Sequence, residues 1–357
     1  MISNKPIIYD LSYEALTAWL KNNRQPVFRA QQIWRAIYQN NKITPKEIST
    51  LPKVLRETLD ETFDFEGLTP VKSMVSANKK TVKTLFQLRD QRSIEVVLMY
   101  YDDRRSLCIS TQCGCAIGCS FCATGQMGFM RNLTSGEIIA QVLFFARYLE
   151  ERDEKLTNVV FMGMGEPFLN YENVLDAIGR LNHPDAFGLG ARRITISTVG
   201  IVPKIIAFAN EGLQYNLAVS LHSVDDRLRS KLIPINNKYP VDQVLRACRY
   251  YVDKTSRRVT FEIALIKNVN DSIEDAEQLA GKIGGMICHV NLIPLNPTKG
   301  SVYEASETEQ VSLFADVLNR RNIPCTIRMR RGMEISAGCG QLATKYEEMG
   351  RNGKRIK

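Results

Sequence analysis

The 357-residue sequence has no uninterrupted apolar run of the ~18 residues that a membrane-spanning helix requires. Its first ten residues lack the positively charged start and the sustained apolar stretch of a secretory signal. No internal repeat or low-complexity segment is evident either. These absences predict a cytoplasmic protein that has no membrane partner.

Acidic residues are the scarcer charge, because 38 Asp and Glu stand against 47 Lys and Arg and leave a net charge of +9. A positive excess suits a polyanionic partner or an acidic membrane surface. It is also common in soluble proteins that have neither partner. Charge alone therefore leaves the partner open.

Cysteine is present nine times, an odd number in a long chain without a targeting segment. This usage argues against a disulfide framework and predicts reduced thiols in the cytosol. Cysteine chemistry in such a protein is metal binding or catalysis.

The chain divides into four predicted regions. Residues 1–75 show apolar residues at helical spacing and predict a small helical domain with Trp19 and Trp34 in its core. Residues 76–103 predict a linking β-hairpin with strands over Thr81–Leu88 and Ser93–Tyr100. A larger domain is expected over 104–334, and a C-terminal segment over 335–357, whose basic tail at 351–357 is expected to be disordered.

In the larger region, β-branched runs alternate with amphipathic ones, such as Thr134–Glu150, where Thr134 and Glu137 form a capping box. This alternation predicts an α/β fold with a parallel sheet. Six strands are too few for a closed eight-stranded barrel, so we predict an open, partial (β/α)6 barrel with its chemistry at the carboxyl ends of the strands. The predicted strands are Ser106–Ser110, Asn158–Met162, Arg193–Thr198, Asn216–Leu221, Thr260–Leu265 and His289–Ile293.

Three cysteines directly follow the first predicted barrel strand, in the arrangement Cys115-x3-Cys119-x2-Cys122. The composition would produce about 0.006 such matches by chance, so the spacing is a specific signal. Three thiolates suit a [4Fe–4S] cluster with one iron left open for S-adenosylmethionine (SAM). A zinc site with a distant fourth ligand is the competing interpretation.

The sequence resembles the radical SAM superfamily and, within it, the RlmN/Cfr group of rRNA adenine methyltransferases. The resemblance covers nearly the whole chain and implies a radical SAM barrel that uses a [4Fe–4S] cluster and SAM. Besides the cysteine motif, it rests on Phe161-Met-Gly-Met-Gly-Glu-Pro167, Arg192-Arg-Ile-Thr-Ile-Ser-Thr198, Ser220-Leu-His222, Leu232-Ile-Pro-Ile-Asn-Asn-Lys-Tyr239, Asn291-Leu-Ile-Pro-Leu-Asn-Pro297 and Cys339-Gly-Gln-Leu342.

The resemblance also implies a SAM-binding wall. Glycines at a strand end let backbone groups approach a ligand closely, and a carboxylate there suits the ammonium group of SAM. The implied contacts are Gly165, Glu166, Ser197, Ser220, Leu221, His222 and Asn296. From the residues alone, a structural hydrogen bond is the commoner role for a single Ser or His.

Three further residues match catalytic positions of the group. By this resemblance Cys339 takes a methyl group from SAM, Cys108 later captures Cys339 as a disulfide, and Glu95 removes the ring proton of the base. The chain departs from the pattern at Cys113, which adds a thiol beside the motif, and at Gly338, where Ala is more usual. The remaining cysteines, Cys248, Cys288 and Cys325, are interpreted as structural.

Glu166-Pro167 is closer to the RlmN branch, which implies methylation of adenine C2 in 23S rRNA and tRNA; a Cfr-like C8 activity is the competing possibility. The implied partners are these RNAs and an electron-donating reductase system, with the chain acting as a monomer. The helical domain over residues 1–75 is the candidate RNA-binding domain. A different radical SAM reaction and a non-catalytic iron–sulfur or zinc RNA-binding protein also stay open. Candidate phosphate contacts are Arg104-Arg105, Arg192-Arg193, Arg257-Arg258, Arg328, Arg330-Arg331 and Lys79-Lys80, provided that they share a face.

Overall fold

The computed structural model describes residues 5–298, 300–328 and 330–343. Its strands are β1 (Thr69–Val75), β2 (Thr81–Gln87), β3 (Ser93–Tyr100), β4 (Arg105–Cys108), β5 (Gln112–Gly114), β6 (Phe129–Asn132), β7 (Asn158–Phe161), β8 (Ile194–Thr198), β9 (Asn216–Ser220), β10 (Val259–Leu265), β11 (Cys288–Pro294) and β12 (Cys325–Ile327). The basic tail at 351–357, which was expected to be disordered, lies outside the described residues.

Helices surround the sheet. They are α1 (Tyr13–Asn22), α2 (Arg29–Tyr38), α3 (Lys53–Thr62), α4 (Ala123–Gln126), α5 (Ser135–Glu150), α6 (Tyr171–Asn182), α7 (Val202–Asn210), α8 (Asp226–Leu232), α9 (Val241–Thr255), α10 (Ile273–Ile283) and α11 (Thr308–Arg320). None of the described helices has both the length and the apolar character needed to cross a membrane.

Ten strands form one open mixed sheet in the order β1-β2-β3-β4-β7-β8-β9-β10-β11-β12. From β4 onward every neighbouring pair is parallel. All six predicted barrel strands occur within two residues of their expected bounds, so the α/β partial-barrel prediction is confirmed. The parallel strand β12 was not predicted, because its three residues are too few for a periodic signal.

The predicted hairpin is confirmed as β2 and β3, paired from Thr81 with Met99 to Gln87 with Ser93. It is not separate from the barrel, because β3 continues the sheet by pairing with β4. The expectation of helix throughout residues 1–75 is wrong for β1, which pairs antiparallel with β2. Almost every residue of β1 is exposed, so its sequence shows no alternation of apolar and polar residues.

The N-terminal helices form a compact region on one side of the barrel. Trp34 is buried, and Trp19 packs edge-on against Phe63 with ring centroids 5.1 Å apart, so the tryptophans lie in the core as predicted. The carboxylate of Asp10 accepts a 2.8 Å hydrogen bond from the backbone N–H of Gly136 in the first turn of α5. This bond caps a barrel helix and joins the two regions.

The predicted capping box at the start of α5 is present. Thr134 accepts from the Glu137 N–H, and the Glu137 carboxylate accepts from the Thr134 N–H. A cap of this kind contributes about 1 kcal/mol. Glu137 also binds both terminal nitrogens of Arg131 on β6, at 2.7 and 2.8 Å. The helix start therefore holds the short β5–β6 ribbon that brackets the three-cysteine loop.

Residues 331–343, which we call the C-terminal strap, run from the edge strand β12 back across the opening of the sheet. Main-chain groups make most of the contacts. They comprise Ala77 N–H to Glu334 Oε1 (3.0 Å), Lys83 Nζ to Ser336 O (3.1 Å), Ala123 N–H to Gly340 O (2.7 Å), Thr124 Oγ1 to Leu342 O (2.6 Å) and Ala343 N–H to Glu95 Oε2 (3.0 Å).

Candidate active site

The three-cysteine loop is fixed by its backbone. Gly114 has φ +71°, and a Cβ there would lie 1.8 Å from the carbonyl oxygen of Gly128, so glycine is required. The N–H of Cys115 donates to the same carbonyl at 2.9 Å, and the N–H of Ser120 donates to Leu232 O at the end of α8 at 3.0 Å. The loop therefore has defined anchors on β6 and on α8.

Cys115, Cys119 and Cys122 all line one cavity, which we call the upper cavity because it opens at the carboxyl ends of the parallel strands. Burial raises the pKa of the Cys115 thiol to about 12 and that of Cys119 well above its usual value. Buried thiolates need a compensating cation, and iron coordination deprotonates such thiols. The donor set and its placement therefore fit a thiolate-bound cluster.

Within the part of the chain that the structure describes, no three His, Cys, Asp or Glu side chains converge on a point that could hold a single metal ion. A mononuclear zinc site requires such convergence, with zinc–sulfur bonds of about 2.3 Å. A [4Fe–4S] cluster has a different requirement, because each cysteine binds a different iron atom.

The segment Gly163–Pro167 follows β7 and forms one wall of the upper cavity. A Cβ at Gly163 would lie 2.6 Å from Ile109 O, and one at Gly165, where φ is +102°, would lie 2.6 Å from the Gln112 side chain. The glycines were expected to admit a ligand. Glycine is needed at both positions mainly because the backbone packs closely against the segment that follows β4. Gly165 also lines the cavity.

Glu166 is buried in the same wall, and its carboxylate accepts hydrogen bonds from the N–H groups of Phe168 (3.0 Å) and Val199 (2.9 Å). Burial raises its pKa to about 7 despite these bonds. The Thr198 side chain also forms a hydrogen bond with this carboxylate. A carboxylate has about four acceptor positions, so three bonds still leave room for an ammonium donor. The expected contact with the SAM amino group is compatible with this geometry.

Residues at the ends of β8 and β9 form the adjoining wall. Ser197, Ser220 and His222 line the upper cavity, whereas Leu221 lies fully buried behind it. The Nδ1 atom of His222 accepts a hydrogen bond from the Ala264 N–H at 2.9 Å, and burial lowers the histidine pKa to about 3. The ring is therefore neutral, with its proton on Nε2.

Asn296, at the end of β11, connects the cavity wall to the strap. Its Nδ2 donates to the carbonyl oxygen of Cys339 at 3.2 Å. Its Oδ1 is buried and has no hydrogen-bond partner among the described residues. A buried unsatisfied acceptor that lines a cavity points to a bound donor, since burial without a partner is costly. This observation fits a polar ligand beside Cys339.

The strap carries Cys339 into the upper cavity, which it lines together with the three cysteines of the loop. Cys339 is exposed, whereas Cys108 on β4 is buried. Burial raises the pKa of the Cys108 thiol to about 12, and the nearby charge of a Cys339 thiolate adds to this effect. The structure thus brings together two thiols that are 231 positions apart in the chain.

Different alkylation rates are expected for these two thiols in the native protein. Alkylation requires a thiolate and access, so at about pH 8 iodoacetamide should modify Cys339 ~100-fold faster than Cys108. Because the Cys108 pKa is raised, its rate should increase as the pH rises towards 12. Peptide mass spectrometry measures both rates, and the denatured protein is the control. Equal native rates would contradict the burial described here.

Arg328 and Glu262 are functional candidates at the bottom of the upper cavity. Arg328 was expected to be a phosphate contact, but it lies inside, with its Nη1 3.5 Å from Glu262 Oε2. The negative charge of a Cys339 thiolate, followed by that of Glu262, raises the Arg328 pKa. Glu262 was not predicted from the sequence, although a charged residue within the apolar strand β10 was a usable signal.

Glu95 does not line the upper cavity. It is buried in an ion pair with Lys83 Nζ at 2.9 Å, and its other carboxylate oxygen accepts from Ala343 in the strap. Lys83 also donates to Ser336 O. This lysine, which was not predicted from the sequence, therefore holds both the proposed base and the segment that carries Cys339.

A second cavity, here called the lower cavity, lies towards the amino ends of the parallel strands. It shares Met162, Glu262 and Arg328 with the upper cavity. Five predicted phosphate contacts line it, namely Arg104, Arg192, Arg258, Arg328 and Arg331. The other predicted contacts, Arg105, Arg193, Arg257, Arg330, Lys79 and Lys80, do not line it. These five arginines therefore share a cavity, which the sequence could not show.

Comparisons with known proteins agree with this geometry. Residues 109–280 match the family model of the radical SAM superfamily, and residues 8–64 match that of the ribosomal RNA large subunit methyltransferase N-terminal domain. The cysteine loop and the open parallel sheet, with this match, define the protein as a radical SAM enzyme. Such enzymes use a [4Fe–4S] cluster and SAM, so the predicted cofactor pair is confirmed.

Individual relatives match this chain over nearly its whole length. The chain is 45% identical over 342 residues to the "Probable dual-specificity RNA methyltransferase RlmN" of Geobacillus kaustophilus, covering 95% of this chain and 93% of the relative. For the Bacillus thuringiensis protein of the same name the identity is 44%. A radical SAM methyltransferase structure from Sphaerobacter thermophilus superposes with TM-score 0.92 and 47% identity, covering 94% of this chain and 99% of that one. The chain belongs to the RlmN family of radical SAM methyltransferases.

Proposed function

We propose that this enzyme methylates C2 of an adenine in 23S rRNA and in tRNA, and that Cys339 carries the methyl group. The relatives named above are dual-specificity RNA methyltransferases, which supports RNA as the substrate class. The central observation is that the strap places Cys339 in the cavity lined by Cys115, Cys119 and Cys122. A radical SAM enzyme of another reaction class has no need for that fourth cysteine.

Cys115, Cys119 and Cys122 would hold the cluster, and Glu166, Ser197, Ser220, His222 and Asn296 would surround SAM. When bound, the cluster supplies the electron that cleaves a carbon–sulfur bond of SAM and so generates the radical that the unreactive adenine carbon requires. The protein's own contribution is to bind SAM between two walls and to exclude water with the strap. The acceptor Asn296 Oδ1 is placed for a SAM donor group.

Cys339 first acts as an ordinary nucleophile. Its thiolate attacks the methyl carbon of one SAM molecule, so that a new sulfur–carbon bond forms at Cys339, the bond from methyl to the sulfonium sulfur breaks, and S-adenosylhomocysteine leaves. The exposed position of this thiol makes it accessible to a SAM molecule that enters the cavity. Arg328 lines the same cavity and brings a positive charge near this sulfur.

Product release then requires an acid–base residue and a second thiol. Cys108 would form a disulfide with Cys339 as the carbon–sulfur bond to the product breaks, a role supported by the electrostatic influence of Cys339 on the Cys108 thiol. Glu95 is the base that takes the C2 proton, and Lys83 supplies its counter-charge. An electron-donating reductase system would restore the two thiols after each turnover.

The RNA enters, in this proposal, through the lower cavity. Its lining carries five arginines against the single carboxylate of Glu262, a balance that suits a phosphate backbone. Arg104 and Arg331 both lie over the Tyr101 ring, with centroid distances of 4.2 and 4.4 Å, and are held in place by it. A base that leaves its stack could pass from this cavity towards Cys339.

Weaker RNA binding is expected for an Arg192→Gln/Arg258→Gln double variant. A plot of log affinity against log salt concentration has a slope of about −0.9 for each phosphate contact with a duplex of the B-DNA type. Removing two contacts should therefore make this slope shallower by ~1.8. Binding measured over a salt series tests this, with Arg193→Gln/Arg257→Gln as the matched control. An unchanged slope in the first variant would place the RNA elsewhere.

Mass spectrometry of rRNA and tRNA from cells that lack this protein tests the proposed function. We expect 2-methyladenosine to be lost from both RNA classes and restored by the intact gene, with the chain active as a monomer. Loss of 8-methyladenosine instead would establish the Cfr-like activity, which the Glu166-Pro167 sequence disfavours. Unchanged levels of both nucleosides would overturn the proposal.

A further inference from the structure

Arg229 on α8 has a completely buried side chain. Its guanidinium donates only to neutral acceptors, and within the described ranges no carboxylate forms an ion pair with it. The acceptors are Leu221 O (2.9 Å), Asn236 Oδ1 (2.7 Å), Val199 O (2.6 Å) and Ser220 O (3.3 Å). The hydrogen bonds are satisfied, but the positive charge is not neutralised.

Arg180 provides a comparison, because its buried guanidinium is paired with a carboxylate. It is the other arginine whose side chain is buried in the described chain, and it forms an ion pair with Asp176. The acid nearest to Arg229 in sequence, Asp226, acts on the guanidinium only at a distance and forms no ion pair with it, because its carboxylate accepts from Asn236 Nδ2 and from the Val241 N–H, both at 2.9 Å. A buried charge without a partner is costly, so the position of Arg229 calls for an anion nearby.

The surroundings of Arg229 point to the three-cysteine loop as the location of that anion. Two of its acceptors belong to Val199 and Ser220, which line the upper cavity. The guanidinium therefore lies directly behind the cavity wall. The helix that carries it ends at Leu232, whose carbonyl anchors Ser120 of the loop at 3.0 Å.

We propose that Arg229 is the built-in counter-charge for the cluster held by Cys115, Cys119 and Cys122, and that it raises the reduction potential of this cluster. The inference rests on the proposed cluster site. Three thiolates make the assembled cluster anionic, and reduction adds one more negative charge. A cation buried at fixed distance in a region of low dielectric stabilises the reduced form more than the oxidised form. Arg229 is thus a positioning and electrostatic residue, not a catalytic one.

Two substitutions separate charge from hydrogen bonding. Arg229→Lys keeps the charge and loses the planar fork, whereas Arg229→Gln loses both. The potential of the one-electron couple is followed by the electron paramagnetic resonance signal of the reduced cluster in an anaerobic titration. Arg229→Gln should shift the redox equilibrium at least tenfold towards the oxidised form, or 59 mV for one electron. Arg229→Lys should change it less than about threefold.

The controls keep the inference separate from the proposed function. Iron content is measured first, and failure of the unaltered protein to bind iron through the three cysteines would refute the cluster site itself. Arg180→Gln also removes a buried guanidinium, and should lower thermal stability without moving the potential. Equal potentials for Arg229→Gln and the unaltered protein, or equal shifts for the Lys and Gln variants, would overturn the role of the Arg229 charge.

A charge swap keeps the test decisive if Arg229→Gln does not fold. In Asp226→Asn/Asn236→Asp the side-chain bond between residues 226 and 236 is reversed in direction and the net charge is unchanged, while the bonds from the Val241 N–H to residue 226 and from residue 236 to the backbone oxygen of residue 226 are lost. The carboxylate moves to the atom that now lies 2.7 Å from Arg229 Nη1. We expect neutralisation of Arg229 to lower the potential in the same direction as Arg229→Gln. An unchanged potential in this variant would contradict the proposal.

Discussion

Replacing Cys339 with alanine is expected to reduce RNA methylation by ~10³-fold or more, because the proposed methyl carrier is removed and no other thiol in the upper cavity is free of the cluster. Cleavage of SAM to 5′-deoxyadenosine should continue, since the three proposed cluster ligands are unchanged. Methyl transfer is measured with RNA and labelled SAM, and deoxyadenosine by chromatography of the same reaction.

Cys325→Ala is the matched control for this variant. Cys325 is a partly exposed cysteine on the edge strand β12, and its thiol lies near Ala315 O rather than in the cavity. Its loss should leave methylation within about twofold, as is usual for a surface substitution. If Cys339→Ala methylates RNA as well as the control does, Cys339 is not the methyl carrier.

Replacing Cys119 with alanine is expected to remove bound iron, and with it both SAM cleavage and RNA methylation, by ~10³-fold or more. Two thiolates cannot hold a cluster in a site built for three. The effect differs from that of Cys339→Ala, which should spare deoxyadenosine formation. Iron and sulfide content, measured after anaerobic reconstitution, distinguishes the two variants.

Cys288→Ala is the control, because it too removes a buried thiol. Cys288 lies at the amino end of the parallel strand β11, far from the carboxyl ends of the strands, where the site lies. The variant should bind iron like the unaltered protein. Full iron binding by Cys119→Ala would mean that another residue, such as Cys113, completes the site.

The parallel strands could be predicted from the sequence because each has a recognisable local pattern of residues. Each of the six carries a run of apolar and β-branched residues in the sheet interior, as in Ile194–Thr198. The capping box at Thr134 and the cysteine spacing are also local patterns. The edge strands β1 and β12 lack such patterns, since β1 is exposed and β12 has three residues, and both form through pairing with a neighbour.

Residues of the site could be predicted from the sequence only where they belong to a recognisable motif. Gly165, Ser197 and Asn296 follow strand ends that the fold brings to one edge, so they meet in the upper cavity. The roles of Lys83, which is buried, and of Arg328, which is partly exposed, could not be recognised, because a sequence does not show which acid a basic residue pairs with. Their partners Glu95 and Glu262 lie 12 and 66 positions away, and these pairings exist only in the folded chain.

The contacts of the strap determine which of its positions can change in sequence. Its anchors at Ser336 and Leu342 are backbone carbonyl oxygens, which every amino acid supplies. Side chains at these two positions can therefore change between related proteins while the main-chain path survives. The constraint falls instead on the receiving groups, Lys83 and Thr124, and on Cys339 itself. Sequence variation at Ser336 and Leu342 is thus compatible with an unaltered reaction, whereas Gln341 is constrained because its side chain donates to Pro297 O at 3.0 Å.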